Sequence, residues 1–406
     1  GGGGAGGGGT GGRATGRRHG SAPAHHSGAR SHRVSADPLA GRAVWIWELP
    51  NADQGDIPAL IADAHRFGVS TLLVKSSDGT TPWPQFSPQL VAALHAGGVR
   101  VCAWQYVYGT HPVTEAYLGA AAAHDGADCL VIDAEGEYEG RYVQAQTYIT
   151  RLRALIGARY PVALAGFPYV DFHPAFPYSV FLGPGGAQLN APQMYWRAIG
   201  VSTDAVFAHT YAFNLPYARP ILPLGQLYGR PPARQIVRFR ELARVYGAAG
   251  VSWWDWQEAR PAAWTAISRS AGGLPGYVPD TTMAPVGQGA DGDLIVWAQE
   301  HLISAGDPIA VSGDFSSHTL LAVQAFQAAH GLPVDGIIGQ ETWTALLRYR
   351  PAAIRWVAVR HHGDRATIAS AAPSAGRRGV IVAPVPRSAS RPARRDEIAG
   401  AGGAGR

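Results

Sequence analysis

The chain has 406 residues, 46% of them hydrophobic and twelve of them Trp, which is enough for a large core and more than one folded unit. Its formal charge of +5 is unevenly spread: residues 1–42 carry six Arg against one acid, residues 349–406 carry eleven Arg against three, and 43–348 hold 17 basic and 25 acidic residues for a net charge of −8. So acidic a folded part is a poor polyanion binder, which argues against a nucleic-acid interface, and no apolar run reaches the length of a membrane span.

Residues 1–42 are Gly-rich, then rich in Arg, His and Ser, and cannot bury enough surface to order themselves, so a disordered tail is expected. The tail has no apolar segment of the signal-peptide kind and does not begin with Met. Its histidines His19, His25 and His26 lack the spacing of metal ligands.

From 43 to 270 strand-like and helix-like runs alternate. Short apolar runs at 44–48, 70–75, 99–106, 128–135, 161–167, 190–195, 219–224 and 250–256 predict eight strands. Helical patterns fall between them, most clearly at 56–67, 88–97, 112–125, 139–158 and 231–247. The first of these has Asp56 as N-cap, Pro58 in its first turn and Gly68 as terminator. Eight alternating units predict an α/β fold, a (β/α)8 TIM-like barrel. Cys102 and Cys129 fall on neighbouring predicted strands, where two buried free thiols are expected because a bridge between adjacent strands is usually strained.

The fourth predicted strand ends in Asp133-Ala134-Glu135. Side chains two apart on a strand point to the same side, with Cα atoms roughly 6.6 Å apart. Two acids therefore converge at the C-terminal end of a buried strand, where such barrels place their chemistry. Glycoside cleavage needs an acid to protonate the leaving oxygen and a second group to stabilise positive charge. Glu135, last on the strand, is the candidate acid, and Asp133 the neighbour that raises its pKa and orients it. With an N-acetylated sugar, the acetamido oxygen can be the nucleophile and Asp133 its orienting group. Two protein carboxylates would instead need to lie about 5–5.5 Å apart, with Glu48, Glu137 and Asp255 as candidates. Lys75 could pair with either acid and lower its pKa. Gln193 and Tyr195 share one face of the sixth strand, and Trp253 and Asp255 one face of the eighth. Trp104, Tyr106, Trp196 and Trp256 are candidates to stack on sugar. The scattered histidines show no metal-ligand spacing, and no nucleophile-elbow motif supports a Ser-His-Asp site, so neither metal nor cofactor is expected.

A Gly-, Pro- and Thr-rich linker is expected at 271–289. Residues 290–349 then carry three short apolar stripes (Ile295, Ala298 and Leu302; Leu320, Val323 and Phe326; Trp343, Leu346 and Leu347) that predict a small three-helix unit. The Arg-, Ala- and Pro-rich residues 350–406 are expected to be a second disordered tail.

This unit resembles the peptidoglycan-binding domain of bacterial cell-wall hydrolases. Gln299, the turn Gly313-Asp314-Phe315 before Thr319, and Ala322-Val323 with Phe326-Gln327 match its pattern, as does Gly331-Leu332 through Val334-Asp335-Gly336, Gly339, Thr342-Trp343 and Leu346. Ser316 stands where the family often has Gly. The barrel resembles the family 25 lysozymes and relatives at Leu73-Val74-Lys75-Ser76-Ser77-Asp78-Gly79, with Asp78 in place of Glu, and at Val131-Ile132-Asp133-Ala134-Glu135. The latter is also similar to the acidic motif of family 18 chitinases, with Val131 where that motif has another Asp. Trp47-Glu48-Leu49 departs from the Asp-containing first strand of the lysozymes. Together the resemblances imply an extracellular or envelope-located bacterial protein that binds peptidoglycan and cleaves its glycan. The alternative is a wall-binding protein whose barrel has lost its chemistry; an amidase or peptidase finds no zinc or Cys/His set to support it.

Overall fold

The computed structural model describes residues 37–358 and 380–385. The expected N-terminal tail up to 36, with its three histidines, and most of the C-terminal one lie outside them. The strands are β1 (Gly41–Ile46), β2 (Thr71–Asp78), a two-residue β3 (Thr81–Pro82) that turns back on β2, β4 (Arg100–Val107), β5 (Cys129–Ala134), β6 (Val162–Ala165), β7 (Leu189–Asn190), β8 (Leu224–Gln226) and β9 (Gly250–Trp254). Apart from β3 they pair in parallel in the order β7-β6-β5-β4-β2-β1-β9-β8, and single bridges Asn190↔Ile221 and Gln193↔Leu224 join the two ends into a barrel. The strands predicted at 190–195 and 219–224 are mostly irregular, because Pro192, Pro220 and Pro223 remove ladder donors. β1 begins at Gly41, inside the stretch expected to be tail.

Alternation along the strands sorts the core into two sets. Val44, Ile46, Leu72, Val74, Leu130 and Ile132 face the surrounding helices, while Ala43, Trp45, Leu73, Trp104, Val131, Ala163 and Ala165 fill the barrel. The first helix, Ile57–Phe67, is capped as its sequence predicts: Asp56 accepts from the Ala59 amide, and Gly68 closes it at a left-handed φ of 65°.

Cys102 and Cys129 form a disulfide, contrary to the free thiols expected. Both point into the barrel and are direct register partners on β4 and β5, with Cα atoms 4.6 Å apart. That separation lies inside the range disulfides use.

Three helices, Asp293–Ala305, Ser317–Ala329 and Gln340–Leu346, form the C-terminal unit. Two buried glutamines brace its turns. Gln299 accepts from the Ser312 and Gly313 amides and donates to Thr319, and Gln327 accepts from the Gly336 amide and donates to Asp335 and Thr342. The preceding segment is stitched down: the Ala284 amide donates to Ala212 O, the Asp280 amide to the Tyr246 hydroxyl, and Trp343 Nε1 to Ala284 O.

This unit is docked on the barrel through a buried carboxylate. Asp293 accepts from Tyr142 Oη (2.9 Å), Tyr217 Oη (2.9 Å), Ser179 N (2.7 Å) and Ser179 Oγ (2.7 Å). Its own amide donates to Pro174 O, and Trp297 Nε1 donates to Pro216 O. The stretch expected as tail from 350 contains two further strands, β10 (Ala353–Val357) and β11 (Val380–Pro384), paired in parallel. Here a short apolar run, Ile354 and Trp356, finds a partner that its Arg-rich surroundings hide: Trp356 packs on Tyr142, and its amide donates to Gln146.

Candidate active site

A cavity of about 250 Å³ opens at the C-terminal ends of the strands. Its floor is three indoles on three strands: Trp45 lies 5.3 Å from Trp104 and 5.7 Å from Trp254, and Trp104 lies 5.4 Å from Trp254. Trp104 Nε1 donates to Ile46 O and fixes its ring, while the buried Trp45 Nε1 and Tyr228 Oη have no hydrogen-bond partner among the described residues. Tyr195 and Tyr228 meet edge to face on one wall, and Tyr106 and Tyr108 stand on another.

Asp133 and Glu135 lie on this cavity, brought there by β5 and the residue after it. Gln193 Nε2 donates to Asp133 Oδ1 (3.0 Å) and to Glu135 Oε1 (2.9 Å). Burial first, and the Glu135 charge second, push the Asp133 carboxyl well above the usual carboxylate range, against the opposing pull of Lys75. Glu135 is also raised, chiefly by burial, with the Gln193 bond opposing and Glu137 adding. Glu137 in turn accepts from Tyr106 Oη at 2.8 Å.

Lys75 bonds neither of these acids. Its Nζ pairs with Asp78 at 2.6 Å and sits 4.2 Å from the Trp83 ring centroid and 4.9 Å from that of Trp104. Tyr108 Oη donates to the other oxygen of Asp78. Buried among indoles, Lys75 is committed to holding Asp78, and acts on Asp133 through space alone.

Of the residues singled out in the sequence, Asp133, Glu135, Gln193, Tyr195 and Trp104 line the cavity, as do Tyr106 and Glu137. Glu48 does not: it accepts from Asn51 in the loop after β1. Trp253 and Asp255 do not line it either: Trp253 faces outward from β9, and Asp255 lies past the end of that strand. Trp253 packs on Phe239 at 5.2 Å, and Asp255 is buried with no hydrogen-bond partner among the described residues, its carboxyl pushed up to about 7 by burial and then by Glu258. The inward residue of β9 is Trp254, one position on. Trp196 and Trp256 belong to the outer core, against Phe239 and Trp264. Trp45, Trp47, Tyr228 and Glu258 line the cavity as well. The alternation Ala43-x-Trp45-x-Trp47, which places all three inward, was the signal for the first two. Among the described residues there is no cluster of three or more His, Cys, Asp or Glu that could hold a metal ion. None of their helices is long and apolar enough to cross a membrane.

The chain thus joins a parallel β/α barrel to a three-helix unit of the peptidoglycan-binding kind. Residues 291–346 match the peptidoglycan binding domain family, which covers the three-helix unit. Among solved structures, the SleB N-terminal domain is 33% identical over 16% of this chain and 90% of its own, with a TM-score of 0.16. A chitinase from Chromobacterium violaceum ATCC 12472 is 13% identical over 56% of this chain and 98% of its own, with a TM-score of 0.41. The catalytic domain of a mannanase from Streptomyces sp. SirexAA-E is 15% identical over 63% and 100%, with a TM-score of 0.42. Among curated protein sequences, none matches the chain.

Proposed function

We propose that the barrel hydrolyses glycosidic bonds of the peptidoglycan glycan strand in a bacterial protein that works outside the cell or in its envelope. Glu135 is the acid, Asp133 the orienting carboxylate, and Gln193, Tyr195 and Trp104 hold the sugar. The observation that carries this reading is the single Gln193 nitrogen shared by both acids, which keeps the two bonded oxygens within roughly 6 Å of each other, short of the separation inverting enzymes use. Glu135, kept protonated by burial, gives its proton to the leaving glycosidic oxygen as the carbon–oxygen bond breaks. The acetamido oxygen of the sugar whose anomeric carbon is being released, with its N–H accepted by Asp133, closes on that carbon. Glu135, now a carboxylate, takes a proton from the water that opens that ring and restores the free sugar. The buried disulfide supports an oxidising location.

The test is release of reducing ends from purified peptidoglycan by the full chain and by Glu135→Gln. Loss of at least about a hundredfold in the variant, with wall binding retained, is expected from removing a general acid. Equal release by both proteins removes Glu135 from the mechanism. No release by either leaves the second reading, a wall-binding protein with an inactive barrel.

A further inference from the structure

The cavity that would hold the glycan is rich in carboxyl groups and has no cation to spare. Asp78, Asp133, Glu135, Glu137 and Glu258 line it, and Lys75, spent on Asp78, is its one cation. Peptidoglycan is itself anionic, because its stem peptides end in carboxylates. Neutral N-acetylated sugars suit such a cavity, whereas an acidic branch on the same sugars finds no free cation in its lining and meets Glu137 and Glu258.

Beside the cavity lies a second recess of about 490 Å³, with Glu258 on the border between the two. Arg230 and Arg260 line it. Neither side chain makes a hydrogen bond or ion pair with any described residue, whereas the Arg42, Arg100, Arg153, Arg219 and Arg240 side chains are all spent on backbone carbonyls. Other exposed arginines are also unpaired; these two share one recess at the mouth.

The chain presents both arginines from constrained backbone. Gly229 and Arg230 have φ of 66° and 54°, and Pro231 and Pro232 follow. A left-handed conformation at a residue other than Gly costs conformational energy, and proline additionally pushes the residue before it toward extended backbone. This turn sets Arg230 in the lining of the recess. The loop bearing Arg260 is pinned to β1: the Trp256 amide donates to Trp45 O, and Gln257 accepts from the Trp47 amide.

We infer that this recess is a subsite for a carboxylate-bearing branch of the substrate, the stem-peptide end of peptidoglycan, recognised by Arg230 and Arg260 while the neutral sugars occupy the carboxyl-rich cavity. It rests on the proposed reading of the cavity as a glycan site. Planar guanidinium groups suit carboxylates, which accept two parallel hydrogen bonds from one arginine.

Calorimetry on the full chain with two probes tests it: soluble glycan–peptide fragments of peptidoglycan, and the same fragments with their carboxylates converted to methyl esters. The wild type is expected to prefer the free acids by about tenfold, the sum of two partly exposed ion pairs, and to lose that preference at high salt. The double variant Arg230→Gln, Arg260→Gln is expected to bind both probes with the affinity the wild type has for the ester. Arg230→Lys, Arg260→Lys, which keeps the charge, is expected to restore part of the preference. Equal binding of acid and ester by the wild type overturns the inference. So does a preference that survives in the Gln variant, which would place discrimination in the three-helix module, or an equal loss for both probes. Arginine-dependent discrimination without any glycan cleavage would overturn the hydrolytic reading and leave the subsite standing.

Discussion

Replacing Asp293 by Asn tests how the binding module is held to the barrel. The carboxylate is fully buried and takes four donors: Tyr142 Oη and Ser179 Oγ on one oxygen, Tyr217 Oη and Ser179 N on the other. Burial nonetheless wins, and the four bonds offset it only in part, so the group is pushed up to about 6 from 3.8. A carboxyl raised on folding contributes stability that is fully present below its unfolded pKa and lost as pH rises through the folded one. The window is therefore about pH 4 to 6, and the loss on complete ionisation is about 3 kcal/mol. Asn is the uncharged isostere and fits the same partners. With its oxygen toward Ser179 N and Tyr217, its amide nitrogen faces Ser179 Oγ and Tyr142 Oη, hydroxyls that can accept as well as donate. Thermal unfolding of the full chain from pH 4 to 8 should find Asp293→Asn close to the wild type at pH 4 and above it by roughly 5 °C at pH 8. Asp293→Ala, which strands four donors, should be less stable at every pH. Parallel curves for wild type and Asn variant, or an Asn variant less stable at pH 8, would refute a charge held in place against its burial cost.

Other substitutions address the site and the core. Gln193→Leu removes the bond that favours ionised Glu135, so its pKa should rise further, and the alkaline limb of the pH–rate profile for reducing-end release should move upward. An unmoved limb would show that Glu135 does not set it. Lys75→Met leaves Asp78 without its cation and should cost about 2–3 kcal/mol in denaturant unfolding, less than for a fully buried pair because Asp78 is partly exposed. Cys102→Ala with Cys129→Ala opens a loop of sequence separation 27 and should cost about 3.5 kcal/mol, measured the same way. The intact disulfide, with both cysteines fully buried, should resist mild reductant until the barrel unfolds.

The barrel was legible in its regular parts because β-branched runs such as Leu130-Val131-Ile132 declare themselves, and the Asp133/Glu135 pair followed from strand parity alone. Parity failed at β9, where adjacent Trp253 and Trp254 give no local clue to which indole faces inward. Only pairing with β8, where Gly225 leaves room for Trp253 on the outside, decides it. β7 and β8 were misjudged in length because their prolines permit closure through single bridges, a property of the assembled barrel. The disulfide depended on register: one residue of slip would have parted Cys102 from Cys129. The run Ile354-Arg355-Trp356 was unreadable in an Arg-rich tail because its partners, Tyr142 and Gln146, lie some two hundred positions earlier.

The docked module changes how wall binding can assist the barrel. A flexible tether raises effective concentration according to its length and lets the catalytic unit search. Here the segment before the module is bonded along its course, and Asp293 anchors the module's first helix through its amide to Pro174 O and through its carboxylate to Ser179 and two tyrosines. Pro174 belongs to the loop after β6 whose His173 pairs with Glu139 at 2.7 Å, and Ala175 of that loop accepts from the Gly140 amide. The loop that receives the module is thus bonded to the loop carrying Glu137 and Glu135. On the proposed hydrolytic reading, a glycan held by the module would be presented from a fixed place beside the cleft, and wall binding would set which stretch of polymer reaches Glu135. Loosening the Asp293 anchor should then impair cleavage of polymeric wall while sparing short soluble fragments.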